Sequence, residues 1–209
     1  AKVVLEGSTL TESIAYARSI EKNENLTFIH PFDDPDVIVG QGTIGKEILE
    51  DFKDPIFAVF CCVGGGGLIS GIASYIKSID PKIKIIGVEA KDSEAMTNSL
   101  KANEIIHLDR VGLFAEGAAV RQVGETTFNM AQKYVDEMIV VDNDAICAAI
   151  KDVYIDNRTI LEPAGALATA GIKAYLEKNH ISEKNIIGIA SGANINFDRL
   201  GFVTERAEI

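Results

Sequence analysis

Short, continuously apolar runs rich in Val and Ile alternate with amphipathic stretches along almost the whole chain. "PIFAVFCCV" (55–63), "KIKIIGVEA" (82–90), "EMIVVD" (137–142) and "NIIGIAS" (185–191) each read as a strand that is apolar on both faces. A strand with one solvated face would alternate apolar and polar residues, so these runs require cover on both sides. Helices packed on both faces of a parallel sheet provide it. "KVVLEG" (2–7) and "LTFIH" (26–30) read as two further strands by the same β-branched content.

The segments between carry helical periods and end signals. A helix is predicted from about Thr9 to Lys22, with Thr9-x-x-Glu12 as a capping box and Leu10, Ile14, Ala17 and Ile20 along one face. Others are predicted over 37–52, on the stretch carrying Ile69, Ile72, Ile76 and Ile79, over 93–102 and over 125–135. Three more are predicted after Asp142, after Pro163 as a first-turn proline, and beyond "GAN" (192–194). The fold class that follows is α/β, an open and mostly parallel sheet with helices on both faces. "PFDDPD" (31–36) is turn-rich and is the best place for a domain crossing, its aspartates serving as turn and cap residues. The stretch 105–124 has no period and reads as a long structured loop.

A net charge of −11 argues against nucleic acid and against an anionic membrane surface, since both need clustered Lys and Arg. No apolar run reaches transmembrane length, and the first residues lack a signal-peptide pattern. Three cysteines, two of them adjacent, suggest reduced thiols and a cytoplasmic protein. Cys61, Cys62 and Cys147 read as core packing, and His30, His107 and His180 are too scattered to suggest a metal site.

The sharpest chemical signal is "VGGGGLISG", four glycines between a buried strand and a helix. Unpaired N–H groups and the helix dipole favour a phosphate there, and side chains would keep the backbone from closing on it. The residues after Gly67 are Leu68 and Ile69 rather than Lys and Ser/Thr, which excludes a nucleotide P-loop. A dinucleotide-dependent oxidoreductase is the alternative, with Glu89 at a strand end as ribose-binding acid, although the glycine spacing does not fit. A non-catalytic cofactor-binding or assembly module is the other. Ser191 in "SGAN" also emerges at the carboxyl end of a strand, so Gly64–Gly67, Glu89 and Ser191 should look onto one region. "AEGAAV" (115–120) lies in the aperiodic loop, where functional residues concentrate.

The glycine loop, "EGAAV" and "SGAN" resemble the pyridoxal-phosphate enzymes of fold type II. The longer motifs "PFDDPDVIVGQGT", "VGLFAEGAAVR", "VDNDAICAAIKD", "EPAGALATAG" and "SGANINFDRLGFVTERAEI" resemble the biosynthetic threonine dehydratases over essentially the whole chain. The resemblance implies that Gly64, Gly65, Gly66, Gly67 and Leu68 cradle the phosphate of pyridoxal 5'-phosphate, and that Ser191 meets its pyridine nitrogen. It places Gly117 and Glu162 near the cofactor. A neutral hydroxyl cannot keep the pyridine nitrogen protonated as a carboxylate would. The weaker electron sink suits expulsion of a β-substituent. The implied reaction is conversion of L-threonine to 2-oxobutanoate and ammonia, with L-serine a secondary substrate, in a homotetrameric, isoleucine-regulated enzyme.

The lysine that such chemistry needs lies, in that family, in a Ser-Phe-Lys-x-Arg-Gly-Ala-like motif, which this sequence does not contain. No residue of this chain is therefore assigned a catalytic role, and the Schiff-base lysine is expected upstream. Related racemases hold a divalent ion after "GVE", but Ser93 and Ala95 depart from that pattern, so no metal is expected. The resulting expectation is a fragment: 1–36 the end of a small domain, 37–209 the large cofactor-binding domain, with the lysine segment and a regulatory domain absent.

Overall fold

The computed structural model describes residues 2–7 and 10–207. Its sheet has four strands, β1 (Ile56–Cys62), β2 (Lys84–Ala90), β3 (Glu137–Val141) and β4 (Asn185–Gly188), in the order β3-β2-β1-β4 and parallel throughout. Register pairs Phe60 with Ile86 on one side of β1 and with Gly188 on the other.

Alternation along β1 divides the core in two. Ala58 and Phe60 face a cluster with Ile86, Val88, Ile146, Leu167 and Tyr175. Val59, Cys61 and Val63 face a second cluster with Ile69, Ile72, Ile76, Ile85 and Met96. The first face is covered by α6 (Asn143–Asn157), α7 (Pro163–Asn179) and α8 (Arg199–Arg206). The second is covered by α3 (Gly67–Ile79), α4 (Ala95–Ala102) and α5 (Glu125–Tyr134), with α2 (Pro35–Asp51) packed outside on α3. Backbones of α2 and α3 meet closely, because a Cβ on Gly71 would stand 2.3 Å from the Ile38 carbonyl oxygen.

The helix ends follow from their sequences. Asp34 caps α2 by accepting from the N–H of Asp36 (2.9 Å) and Val37 (3.3 Å), and Asp142 caps α6 by accepting from Ala145. Pro163 occupies the first turn of α7. α5 is different, since its N-cap is Gly124, which has no side chain to cap with. Asp33 supplies the missing carboxylate from a distant part of the chain, accepting from Glu125 N (3.0 Å) and Thr127 N (3.1 Å). A Cβ on Gly124 would lie 2.2 Å from the Asp33 Cγ, so the carboxylate fills the space of the absent cap.

Two predicted strands are not strands. Residues 2–7 are exposed and 26–30 mostly so, and neither pairs with another strand among the described residues. β-branched content favours an extended backbone, but a strand exists only where a neighbour accepts its hydrogen bonds. The intervening helix does form, as α1 (Leu10–Glu24), with Ile14, Ala17 and Ile20 half-buried; the Thr9 cap lies outside the described residues. The last strand closes at Gly188 rather than Ser191, freeing the segment beyond it for a loop. Among the described residues no helix is long and apolar enough to cross a membrane.

Candidate functional site

The sheet order sets where a ligand can sit. From β1 the chain moves through β2 to β3 on one side, and it returns to the other side only with β4. Connections therefore leave β1 and β4 in opposite directions at their carboxyl ends, opening a crevice between them. The glycine loop follows β1 and the "SGAN" segment follows β4, held alongside by a bond from Ile189 N to the Phe60 carbonyl (3.0 Å).

A cavity of about 580 Å³ occupies this crevice, lined by Gly64, Gly65, Gly66, Gly67, Leu68, Gly117, Glu162 and Ser191 together with Cys62, Phe32, Gln41 and Ile44. Every residue assigned to a cofactor by resemblance thus borders one space. Glu89 does not. Its carboxylate is fully buried behind the sheet, accepting from Met96 N and Thr97 N at 2.8 Å each, and it caps α4. Burial pushes it up to about 7, against the opposing pull of these hydrogen bonds. With Glu89 turned away from the crevice, no acid is left in the place a dinucleotide ribose requires.

The glycines serve close packing more directly than the sequence suggests. Their missing side chains would point into protein: a Cβ on Gly64 would stand 3.0 Å from the Ala118 backbone, one on Gly65 2.2 Å from the Phe32 ring, and one on Gly67 2.9 Å from the Phe32 carbonyl oxygen. Gly66 has φ +96°, a left-handed conformation that disfavours any side chain. Packed in this way, the loop keeps its amide edge for the cavity. Among the described residues the N–H groups of Gly64, Gly65 and Gly66 meet no protein acceptor, and those of Gly67 and Leu68 belong to the open first turn of α3. Such a cradle of unpaired donors at a helix N-terminus fits a phosphate group.

The opposite wall is built from "EPAG" and "SGAN" locked together. Glu162 N donates to the Gly192 carbonyl (3.1 Å), and Asn194 N donates to Glu162 Oε2 (3.1 Å). A Cβ on Gly165 would stand 2.2 Å from the Gly192 carbonyl oxygen, and one on Gly117 3.3 Å from Glu162 Oε1. Glu162 therefore fixes the loop that presents Ser191.

Ser191 Oγ lies 3.2 Å from Cys62 Sγ. Cys62 is accordingly not simple core. Being the last residue of β1, it sits at the rim of the sheet, half-buried on the cavity wall, whereas Cys61 and Cys147 are buried. Burial raises the Cys62 thiol, the Ser191 hydrogen bond opposes that, and the Glu162 charge adds to it, so the group stays protonated. Phe32 was also missed. Its signal was present in "PFDDPD", a turn placed just ahead of a helix, but nothing local says that its ring closes on residues far ahead in the chain.

No lysine lines the cavity among the described residues, and no cluster of three or more His, Cys, Asp or Glu residues suited to a metal is found among them.

Comparison with known proteins adds a family. Residues 1–192 match the family model described as pyridoxal-phosphate dependent enzyme. The chain is 51% identical over 208 residues to the biosynthetic L-threonine dehydratase of Burkholderia multivorans, covering all of this chain and 41% of that protein. It is 51% identical over 209 residues to the chloroplastic biosynthetic threonine dehydratase of Arabidopsis thaliana, covering 35% of it. The processed form of threonine deaminase isoform 2 from Solanum lycopersicum superposes with a TM-score of 0.95 at 51% identity, over 99% of this chain and 56% of that one. The chain therefore spans well under half the length of these curated relatives.

Proposed function

This chain belongs to the pyridoxal-phosphate dependent enzyme family, and we propose from that premise that it forms the cofactor-holding part of a threonine ammonia-lyase. The single observation that carries the reading is the convergence of the unpaired glycine-loop amides and the Ser191 hydroxyl on one cavity. The names of relatives at about half identity over the whole chain support L-threonine as substrate.

In this assignment Gly64–Leu68 hold the cofactor phosphate through backbone N–H donors and the α3 dipole. The Ser191 hydroxyl would donate a hydrogen bond to the ring nitrogen while keeping its proton. Cys62 lies against the Ser191 oxygen as a protonated thiol and leaves that proton free to point into the cavity. Glu162 orients the 191–194 loop through Asn194 N, and Gly117 gives close backbone cover on the same side. When bound, the cofactor supplies an electron sink beside the Cα of the amino acid. A neutral serine at the ring nitrogen keeps that sink weak, which suits loss of the β-hydroxyl as water. The released enamine takes water back to give 2-oxobutanoate and ammonia.

The base at Cα is a lysine outside these residues, a reading supported by the lysine-free cavity lining. Residues 1–36 form the end of a smaller domain and 37–209 the large one. The parent enzyme is homotetrameric and allosteric, with the resemblance of the long motifs as the support, and cytoplasmic, with the three unpaired cysteines as the support.

The test is titration with pyridoxal 5'-phosphate, then borohydride reduction and peptide mapping. Saturable binding competed by inorganic phosphate and abolished by Gly66→Asp is expected, with only scattered low-level lysine labelling and no turnover of threonine. Absence of saturable binding would overturn the cofactor assignment. One stoichiometric adduct on a single lysine, or threonine turnover by this chain alone, would overturn the placement of the base.

A further inference from the structure

The peptide joining Gly65 to Gly66 is anchored from behind. Thr127 Oγ1 donates to the Gly65 carbonyl oxygen at 2.6 Å, and Gly124 N approaches the same oxygen at 3.4 Å. The peptide is trans, so its C=O and N–H point in opposite directions. Holding the Gly65 oxygen toward α5 therefore turns the Gly66 N–H the other way, and that N–H meets no protein acceptor among the described residues. Thr127 is fully buried and has little freedom of its own. Its backbone N–H is fixed by Asp33 Oδ1 (3.1 Å), while Asp33 Oδ2 takes the N–H of Glu125 (3.0 Å). Asp33 is placed in turn by the bond from its own N–H to His30 Nδ1 (2.9 Å).

We propose that Thr127, held by Asp33, is a positioning residue that aims the Gly66 N–H at the cofactor phosphate. The inference rests on the assignment of the glycine loop to that phosphate. It adds a reason for the side-chain-free cap of α5. With Gly124 at the cap, Asp33 reaches the first turn from outside, so the helix that grips the glycine loop is itself gripped by the 30–33 segment. The arrangement is a relay from that segment through one hydroxyl to one phosphate donor.

The experiment compares dissociation constants of pyridoxal 5'-phosphate, inorganic phosphate and unphosphorylated pyridoxal for the chain and three variants. Thr127→Val keeps the shape and removes the donor, Thr127→Ser keeps the donor, and Asp33→Asn disturbs the cap. A misdirected donor to a charged phosphate is expected to weaken both phosphate-bearing ligands about tenfold in Thr127→Val, with pyridoxal unchanged. Thr127→Ser should restore binding, and Asp33→Asn should fall between. The phosphorus-31 resonance of the bound phosphate should move in Thr127→Val and return in Thr127→Ser. Equal phosphate binding and an unmoved resonance in Thr127→Val would overturn the proposal, as would equal weakening of pyridoxal. Failure of the unaltered chain to bind any phosphate ligand would instead sink the loop assignment, and this inference with it. If Thr127→Val does not fold, Asp33→Asn against Thr127→Ser decides by the same readouts.

Discussion

Gly66 and Gly40 make opposite demands on an added methyl group, and replacing each by alanine tests the account of the glycine loop. At Gly66 the φ of +96° is costly for an L-residue, by roughly 1–2 kcal/mol. The new Cβ would stand 2.8 Å from both the Met96 Cε and the Thr127 Cβ. Met96 has a flexible end and can withdraw, but the Thr127 Cβ is tied to helix backbone. Overpacking of this kind adds roughly 1–3 kcal/mol, so Gly66→Ala should lose about 2–5 kcal/mol in total. For a chain of 209 residues that lowers the melting temperature by roughly 4–20 °C. Gly40 lies in the exposed middle of α2 with nothing within 4 Å of an added Cβ. Gly40→Ala should therefore stabilise by about 0.5–1 kcal/mol, the ordinary helix preference. Differential scanning calorimetry on both variants measures the contrast. If Gly66→Ala melts at or above the unaltered chain, neither the left-handed strain nor the contact with Thr127 is real.

Glu89 offers a pH test with a definite sign. Its folded-state value of about 7 lies above the ordinary 4.5, so the folded chain binds this proton more tightly than the unfolded one. The contribution is complete below about pH 4.5 and fades as pH rises through 7, by up to about 3 kcal/mol. Urea unfolding of Glu89→Gln from pH 4.5 to 8 should lack that decline relative to the parent, and parallel curves would refute it. The "EPAG"–"SGAN" lock gives a comparison of rigid and yielding neighbours. A Cβ on Gly165 meets the Gly192 backbone oxygen at 2.2 Å, whereas one on Gly192 meets Glu162 Oε1 at 2.3 Å, a side-chain end that can give way at the cost of its bond from Asn194 N. Gly165→Ala should cost about 2 kcal/mol or more, and Gly192→Ala about 1 kcal/mol; unfolding midpoints in the reverse order would refute the distinction.

The parallel sheet and its helices were legible because their signals are local. An apolar run, a first-turn proline or an aspartate cap acts within a few residues. The runs at 2–7 and 26–30 misled for the complementary reason, since whether an extended segment becomes a strand depends on a neighbour elsewhere. Cys62 and Cys61 are adjacent and chemically identical, yet the pleat sends one to the core and the other to the cavity wall. Only the end point of β1 distinguishes them. Glu89 looked like a ligand-binding acid because strand ends face the crevice, but its side of the sheet faces α4 instead. The reciprocal placement of Asp33, Thr127 and Gly65 had no sequence signal at all. It joins residues that lie more than 60 apart, through contacts of 62 and 94 positions.

The strand order has a consequence for how the chain reaches this state. β4 is the last made of the four described strands, and it pairs with β1, whose partner Asn185 is joined to Pro55 across 130 positions. Until it docks, β1 presents an unpaired row of N–H and C=O groups on an apolar edge, the kind of template that recruits other chains. A ribosome must release everything from β1 through β4 before that edge is covered, and the crevice beside it closes in the same step. Assembly of the cavity and protection from aggregation are one late event.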